Sequence, residues 1–222
     1  PEGGGVLSAS TTTISNKNMQ LSIDIESGSI VGVELRKYPV FQGEGSPNIR
    51  LLGSENSFKF YARSGYGNKS ITYKVAEQSV DSLLLISDDG SHSKEFTFEK
   101  DYVLNIVDQN LSASLAPDPY VALYRTDGTP LDSRGGFFEG SSYVGVAFNT
   151  PDDPYKNYRL RSIDRMVNFD QYGGWVSFIQ KYFLTSMIVD PNQKASLFVQ
   201  PPSGDAGVYS MGVVYRLSLI HI

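Results

Sequence analysis

Residues 19–35, MQLSIDIESGSIVGVEL, carry the hydrophobic pattern that decides the fold class. Apolar and polar residues alternate over residues 21–25, and they alternate again after a Ser-Gly-Ser turn. The second run places Val31, Val33 and Leu35 on one face. Because successive side chains of a β-strand point to opposite faces, such alternation indicates two half-buried strands. The glycine-containing turn between them predicts an antiparallel hairpin.

The same period of two recurs along the rest of the chain. Further alternating runs occupy residues 71–75, 96–98 and 144–148. The segment Asp88-Asp89-Gly90-Ser91 separates two apolar runs and predicts another hairpin, because Asp, Gly and Ser favour tight turns. Hairpins joined in series favour an all-β protein with antiparallel sheets packed face to face and few or no helices.

One apolar segment, WVSFIQKYFLTSMIV at residues 175–189, is ambiguous. Trp175, Phe178 and Tyr182 fit one stripe of a helix, but the segment follows Gly173-Gly174 without an N-capping residue. It is also rich in aromatic and β-branched residues, which favour strands. We therefore expect a single strand, with a bulge as an allowed variation.

Composition excludes several classes of function. The chain has 222 residues, 40% of them hydrophobic, and a formal net charge of -5, so broad electrostatic binding to nucleic acid is disfavoured. It has no cysteine and only two histidines, which excludes disulfides, thiolate metal sites and histidine-rich metal sites. No cofactor is expected.

Catalytic residues are also hard to find in the sequence. His92 lies in a predicted hairpin turn, and we expect it to be an exposed turn residue. The acidic pairs Asp88-Asp89 and Asp152-Asp153 lie in turn sequences, where aspartate is favoured by local backbone hydrogen bonds. We therefore expect that the protein is not an enzyme. Trp175 fits either a sugar-stacking platform or a core anchor, and its apolar neighbours favour the core.

Two segments resemble a known family. Residues 145–158, GVAFNTPDDPYKNY, and residues 173–183, GGWVSFIQKYF, look like signature stretches of the periplasmic domain of YidC-type membrane protein insertases. Weaker similarity extends the resemblance to about residues 9–216. The positions that carry it, read as structural, are Gly145, Pro151, Asp152, Tyr155, Tyr158, Gly173, Gly174, Trp175, Tyr182 and Phe183.

The resemblance implies a fold, a location and a set of partners. It implies an antiparallel β-supersandwich of the galactose-mutarotase-like type, in the periplasm, anchored to the inner membrane by segments outside this chain. The whole protein would assist insertion and folding of membrane proteins, with nascent membrane proteins and Sec translocon accessory subunits as partners. The alternative is a carbohydrate-binding β-sandwich related to aldose epimerases.

The expected domain organisation follows from the same resemblance. Residues 1–8 are expected to be the end of a linker, and residues 9–216 a single, C-terminally truncated periplasmic β-sandwich domain. Residues 217–222, LSLIHI, depart from the family and resemble a translated sequencing adaptor, so we expect a non-native tail. Polarity marks two stretches, residues 150–158 and 161–172, as the exposed candidates for partner contact.

Overall fold

The computed structural model divides the chain into two compact units. Unit 1 comprises Pro1–Gly53 and Ser70–Leu115, and unit 2 comprises Ser54–Lys69 and Ala116–Ile222. The residues that the structure describes are 10–41, 43–52, 57–64, 67–69, 71–110, 120–126, 128, 143–180, 182–202 and 207–215. The predicted linker 1–8 and tail 217–222 lie outside this set. The single domain over residues 9–216 stays a prediction.

The described residues form antiparallel strands and one short 3-10 helix, Leu160–Ser162. In chain order the strands are β1 Thr11–Ser15, β2 Met19–Asp24, β3 Ser29–Pro39, β4 Asn48–Arg50, β5 Ser57–Ser64, β6 Gly67–Lys69, β7 Tyr73–Gln78, β8 Ser82–Ser87, β9 His92–Lys100, β10 Val103–Asn110, β11 Tyr120–Thr126, β12 Val144–Asn149, β13 Lys156–Arg159, β14 Val167–Tyr172, β15 Trp175–Gln180, β16 Phe183–Ile188, β17 Lys194–Gln200 and β18 Tyr209–Tyr215.

The described residues of unit 1 form two sheets, one with the strand order β1-β2-β3-β4 and one with the order β7-β8-β9-β10. The first contributes the fully enclosed Ile14, Leu21 and Ile23, and the second Leu83 and Phe96, to the core. Backbone hydrogen bonds also join the two sheets at the strand ends, as where the Ser15 amide donates to the Val80 carbonyl at 2.6 Å. The predicted hairpins β2–β3 and β8–β9 are confirmed.

In unit 2 the strands that the structure describes also form two sheets, with the orders β6-β5-β11-β18-β17-β14 and β13-β12-β15-β16. Aromatic rings fill the space between them. Tyr124 of β11 lies 5.6 Å from Phe178 of β15, and Phe148 of β12 lies 5.1 Å from Phe169 of β14, measured between ring centroids. Tyr124, Phe148 and Phe178 are almost fully enclosed, so these rings make up the centre of the core.

The predicted buried face of the second strand is wrong at Val31, which is exposed. Ile23 pairs with Ile30 and Ser22 pairs with Gly32, so Val31 is an extra residue in β3. Such a bulge reverses the alternation beyond it, and Ile30 takes the buried place. A second register shift, between Val75 and Glu77, accompanies an exposed Val75 in β7, where a buried residue was expected.

The segment 175–189 is extended, as predicted, but it forms two strands instead of one. β15 and β16 make an antiparallel hairpin that reverses around Tyr182, with Gln180 paired to Phe183. The apparent helical stripe arises because the turn interrupts the period of two.

Of the two exposed candidate stretches, residues 161–172 are a 3-10 turn followed mostly by strand β14, and residues 150–158 are a turn that leads into β13.

Candidate functional site

Most of the predicted motif residues gather at one corner of unit 2, where β12 ends and β15 begins. Pairing of Asn149 with Trp175 brings the two strand ends together. The motif residues in the turns at this corner are Pro151, Asp152, Tyr155, Gly173 and Gly174. The other motif residues lie elsewhere: Tyr182 and Phe183 are at the far end of the β15–β16 hairpin, and Gly145 and Tyr158 are within β12 and β13.

A buried glutamine holds the corner together. The Gln171 side-chain amide donates hydrogen bonds to the carbonyl oxygens of Asn149, at 2.8 Å, and Gly173, at 3.1 Å. A Cβ at Gly174 would overlap that amide nitrogen and lie 2.9 Å from the Asn149 carbonyl oxygen. Gly174 also has a φ of +87°, which disfavours any residue with a side chain. The second glycine of the pair is therefore required by both space and backbone conformation.

Gly145 allows the backbone of β13 to lie very close to β12. A Cβ there would lie 2.5 Å from the Tyr158 carbonyl oxygen and 2.6 Å from the Tyr143 hydroxyl oxygen. The Tyr158 ring in turn lies nearly perpendicular to the Phe148 ring, with 6.1 Å between centroids. Both residues thus make close contacts between β13 and β12.

The turn after β12 contains hydrogen bonds of Thr150 and Asp153. The Thr150 hydroxyl accepts a hydrogen bond from the Asp153 amide at 3.1 Å, and the Asp153 carboxylate accepts one from the Tyr155 amide at 3.0 Å. Asp152 is exposed. The sequence pattern signalled a turn here but did not distinguish which of the two aspartates forms it.

Trp175 is half-buried and not the enclosed core anchor that its neighbours suggested. Its ring centroid lies 6.3 Å from that of Tyr155, which is 53% exposed. The two rings form a small aromatic surface at the corner.

Unit 1 contains a buried charged cluster that sequence reasoning missed. Lys94 is only 1% exposed, and its Nζ lies 3.4 Å from Asp108 Oδ2 and 5.1 Å from the centroid of the Tyr73 ring. Burial lowers the pKa of Lys94 to about 8, opposed by the charge of Asp108. Burial also raises the pKa of Tyr73, with further increases from Asp108 and Asp89. The sequence did contain one indication of this cluster. Lys94 lies two residues before Phe96 in the same strand, so its side chain points to the same face as that buried ring.

Gly28, in the β2–β3 turn, makes room for this cluster. A Cβ there would lie 3.2 Å from Lys94 Nζ and 3.4 Å from the Tyr73 ring, and Gly28 has a φ of +60°. The lysine amine is held between an acid and an aromatic face in a closed space. It therefore acts as a structural charge.

The remaining catalytic candidates have local partners. His92 begins β9, where it is half-buried, and its Nδ1 lies 2.7 Å from the Ser91 hydroxyl oxygen. Hydrogen bonds from Ser91 and Ser87 hold the pKa of Asp89 far below its usual range. Within the described residues, no group of three or more His, Cys, Asp or Glu is placed to hold a metal ion. None of the described helices has the length and hydrophobicity for a membrane crossing.

These features define an all-β, antiparallel domain whose motif residues build a structural corner. The family model described as the YidC periplasmic domain matches residues 11–220. The chain belongs to this family, which places it in the periplasm as a domain of an inner-membrane protein.

Curated relatives agree with this assignment. The chain is 26% identical over 211 residues to the membrane protein insertase YidC of Aeromonas hydrophila, covering 84% of this chain and 38% of that protein. It is 28% identical over 218 residues to the insertase of the same name from Pseudomonas syringae, covering 87% and 38%. The chain thus spans well under half the length of these relatives.

A solved structure supports the fold. The chain is similar to a galactose mutarotase related enzyme from Lactobacillus acidophilus, with a TM-score of 0.56 and 9% identity, over 91% of this chain and 84% of that one. At this identity the similarity concerns the fold alone. The predicted galactose-mutarotase-like fold class is confirmed.

Proposed function

We propose that this chain is the extracytoplasmic domain of a membrane protein insertase and chaperone, which assists insertion and folding of inner-membrane proteins with or without the Sec translocon. The observation that carries the proposal is the family match over residues 11–220. The relatives bear the name membrane protein insertase. The partners of the whole protein would be nascent membrane proteins and Sec accessory subunits.

The domain itself would bind and not catalyse. Its motif glycines shape a corner, and its buried lysine is closed off from any substrate. We propose that the turn over residues 150–155 is a partner-contact surface. It projects exposed side chains, including Asp152, from a corner that is held by hydrogen bonds of Gln171.

Photo-cross-linking in cells tests this proposal. The Pseudomonas syringae relative, with its aligned segment replaced by this chain, would carry a cross-linking amino acid at Asp152, with exposed Val80 in unit 1 as the control. We expect cross-links to Sec accessory subunits from position 152 and none from position 80. A stable chimera that gives none from position 152 contradicts the assignment of this turn.

A carbohydrate-binding role is the second candidate, and the aromatic surface formed by Tyr155 and Trp175 favours it. Half-exposed aromatic rings can stack on the apolar face of a sugar. Calorimetry of the chain with galactose, glucose and their oligomers tests it. Saturable heat that is lost in Trp175→Ala, with the fold retained, would support sugar binding, and the absence of heat with every sugar excludes it.

A further inference from the structure

The four-stranded sheet of unit 2 has two outer strands of opposite character. Within the described part of the chain, β13 pairs only with β12, and β16 pairs only with β15. β13, KNYR, carries the two cations Lys156 and Arg159, a common way to keep a sheet edge from pairing further. β16, FLTSMI, has no charge and no proline. Only the β13 edge is therefore protected in this way.

The hydrogen-bond register fixes which backbone groups of β16 face outward. The Val189 amide donates to the Gly174 carbonyl at 2.9 Å, so these two residues form a hydrogen-bonded pair. Such pairs alternate along an antiparallel ladder. The Thr185 and Met187 backbones therefore point to β15. The backbone N–H and C=O groups that point away from the sheet belong to Leu184, Ser186 and Ile188.

The same three residues present an exposed surface. Leu184 is 58% exposed and Ile188 is 69% exposed. Each lies beside an apolar residue of β15, since Leu184 pairs with Ile179 and Ile188 pairs with Trp175. The β16 edge thus combines a row of outward backbone groups with two apolar patches, which are separated by the hydroxyl pair of Ser186 and Ser177.

We propose that the β16 edge binds an extended, apolar segment of another polypeptide, which adds as a further strand to the β13-β12-β15-β16 sheet. Donors and acceptors that alternate at strand spacing match another extended backbone, and neither a lipid nor a sugar has such a row. The apolar side chains and the lack of charge select apolar residues at alternate positions. Only the source of such segments rests on the proposed function: they would come from membrane proteins before insertion.

A peptide-binding experiment tests the backbone part of this proposal. The probe is a fluorescent, acetylated heptapeptide of alternating Val and Thr, compared with two versions of it, one N-methylated at the odd residues and one at the even residues. N-methylation on the ladder-facing residues removes N–H donors and keeps every side chain. We expect fluorescence polarisation to show saturable binding of the first peptide and at least tenfold weaker binding of one of the two N-methylated registers. Equal binding of all three peptides overturns the proposal in favour of nonspecific hydrophobic contact.

Variants of the chain locate the site. Leu184→Lys places a charge on the edge and is expected to weaken binding at least tenfold. Asn168→Lys places the same charge on an exposed position of β14 and is expected to leave binding unchanged. Circular dichroism confirms that both variants are folded, and Ser186→Lys serves if Leu184→Lys is not. Equal loss in the edge and control variants contradicts the proposal.

Sedimentation of the chain alone tests whether a second copy of the chain occupies the β16 edge. If the chain dimerises, Leu184→Lys abolishes the dimer, and the peptide does not bind, the occupant of the edge is a second copy and the proposal is wrong. The peptide assay contains no Sec subunit. If the peptide does not bind, the β16 proposal fails, but the proposed contact at position 152 is still tested by cross-linking.

Discussion

Unit 1 and unit 2 fill their cores in different ways. Unit 1 encloses the charged amine of Lys94 with Asp108 and Tyr73, whereas unit 2 packs aromatic rings around Phe148 and Phe178. A buried ion pair is costly because both charges lose water, so it contributes little net stability but is very sensitive to loss of one partner. Unit 2 relies instead on aromatic packing, together with very close approaches at Gly145 and Gly174. The difference shows that electrostatic changes should affect unit 1, and steric changes unit 2.

The largest effect is expected from breaking the pair in unit 1. Asp108→Ala leaves the Lys94 charge buried without its carboxylate, and we expect a loss of about 3–5 kcal/mol in the free energy of unfolding at pH 7. Urea unfolding measures it. The double variant Lys94→Met/Asp108→Leu removes both charges and is expected to match or exceed the stability of the unchanged protein. A double variant as unstable as Asp108→Ala would show that the pair is a net source of stability.

The pH dependence of stability should carry the signature of Lys94. The pKa of Lys94 is lowered from 10.5 to about 8 in the folded state, so between these values the unfolded chain binds more protons. Stability therefore rises as pH increases from 8 towards 10, by up to about 3 kcal/mol.

Tyr73 sets the pH above which stability stops rising. The pKa of Tyr73 is raised by burial, so above pH 10 the unfolded state loses protons that the folded state keeps, and stability falls. Urea midpoints at pH 7, 9 and 11 measure both trends. Lys94→Met should lose the rise between pH 7 and 9, and a rise that persists in this variant would assign it to another group.

A steric change in unit 2 ranks next. Gly174→Ala combines a positive φ with overlap of the Gln171 amide, and we expect it to lower the free energy of unfolding by about 3 kcal/mol. Gly90→Ala is the matched control, because Gly90 has a φ of +70° and open space around its Cα. It should cost about 1 kcal/mol from the backbone alone. Equal losses in the two variants would mean that Gln171 yields to the new methyl group.

The smallest effects concern the turn after β12. Thr150→Val removes the side-chain hydrogen bonds with Asp153 and should cost about 1 kcal/mol. Asp152→Asn should change thermal stability by less than about 0.5 kcal/mol, because Asp152 is exposed. Thermal unfolding compares the two. The reverse order would make Asp152 the residue that forms the turn.

The sequence predicted the parts of the fold that depend on local pattern. Alternation and Gly28 predicted the β2–β3 hairpin, and the Asp88–Ser91 turn sequence predicted the β8–β9 hairpin. Local pattern did not predict the bulge at Val31, because an extra residue in a strand leaves the composition of the run unchanged. It also did not predict the break at Tyr182, since apolar residues continue on both sides of that turn.

The sites that depend on pairing between distant residues could not be predicted. A lysine in a strand is normally exposed, and only the β9–β10 register places Lys94 opposite Asp108. The β16 edge depends on strand order in the sheet, which the sequence of FLTSMI does not specify. The motif residues come from the resemblance, and their structural role stays a prediction.

The β16 edge is the proposed contact between this periplasmic domain and membrane-protein chains. Photo-cross-linking from Ser186 on β16 and from Asn157 on β13, in the Pseudomonas syringae chimera during synthesis of a membrane protein, tests it most directly. We predict cross-links to the newly made membrane protein from position 186 and none from position 157. A folded chimera that cross-links only from position 157, or from neither position, contradicts the claim.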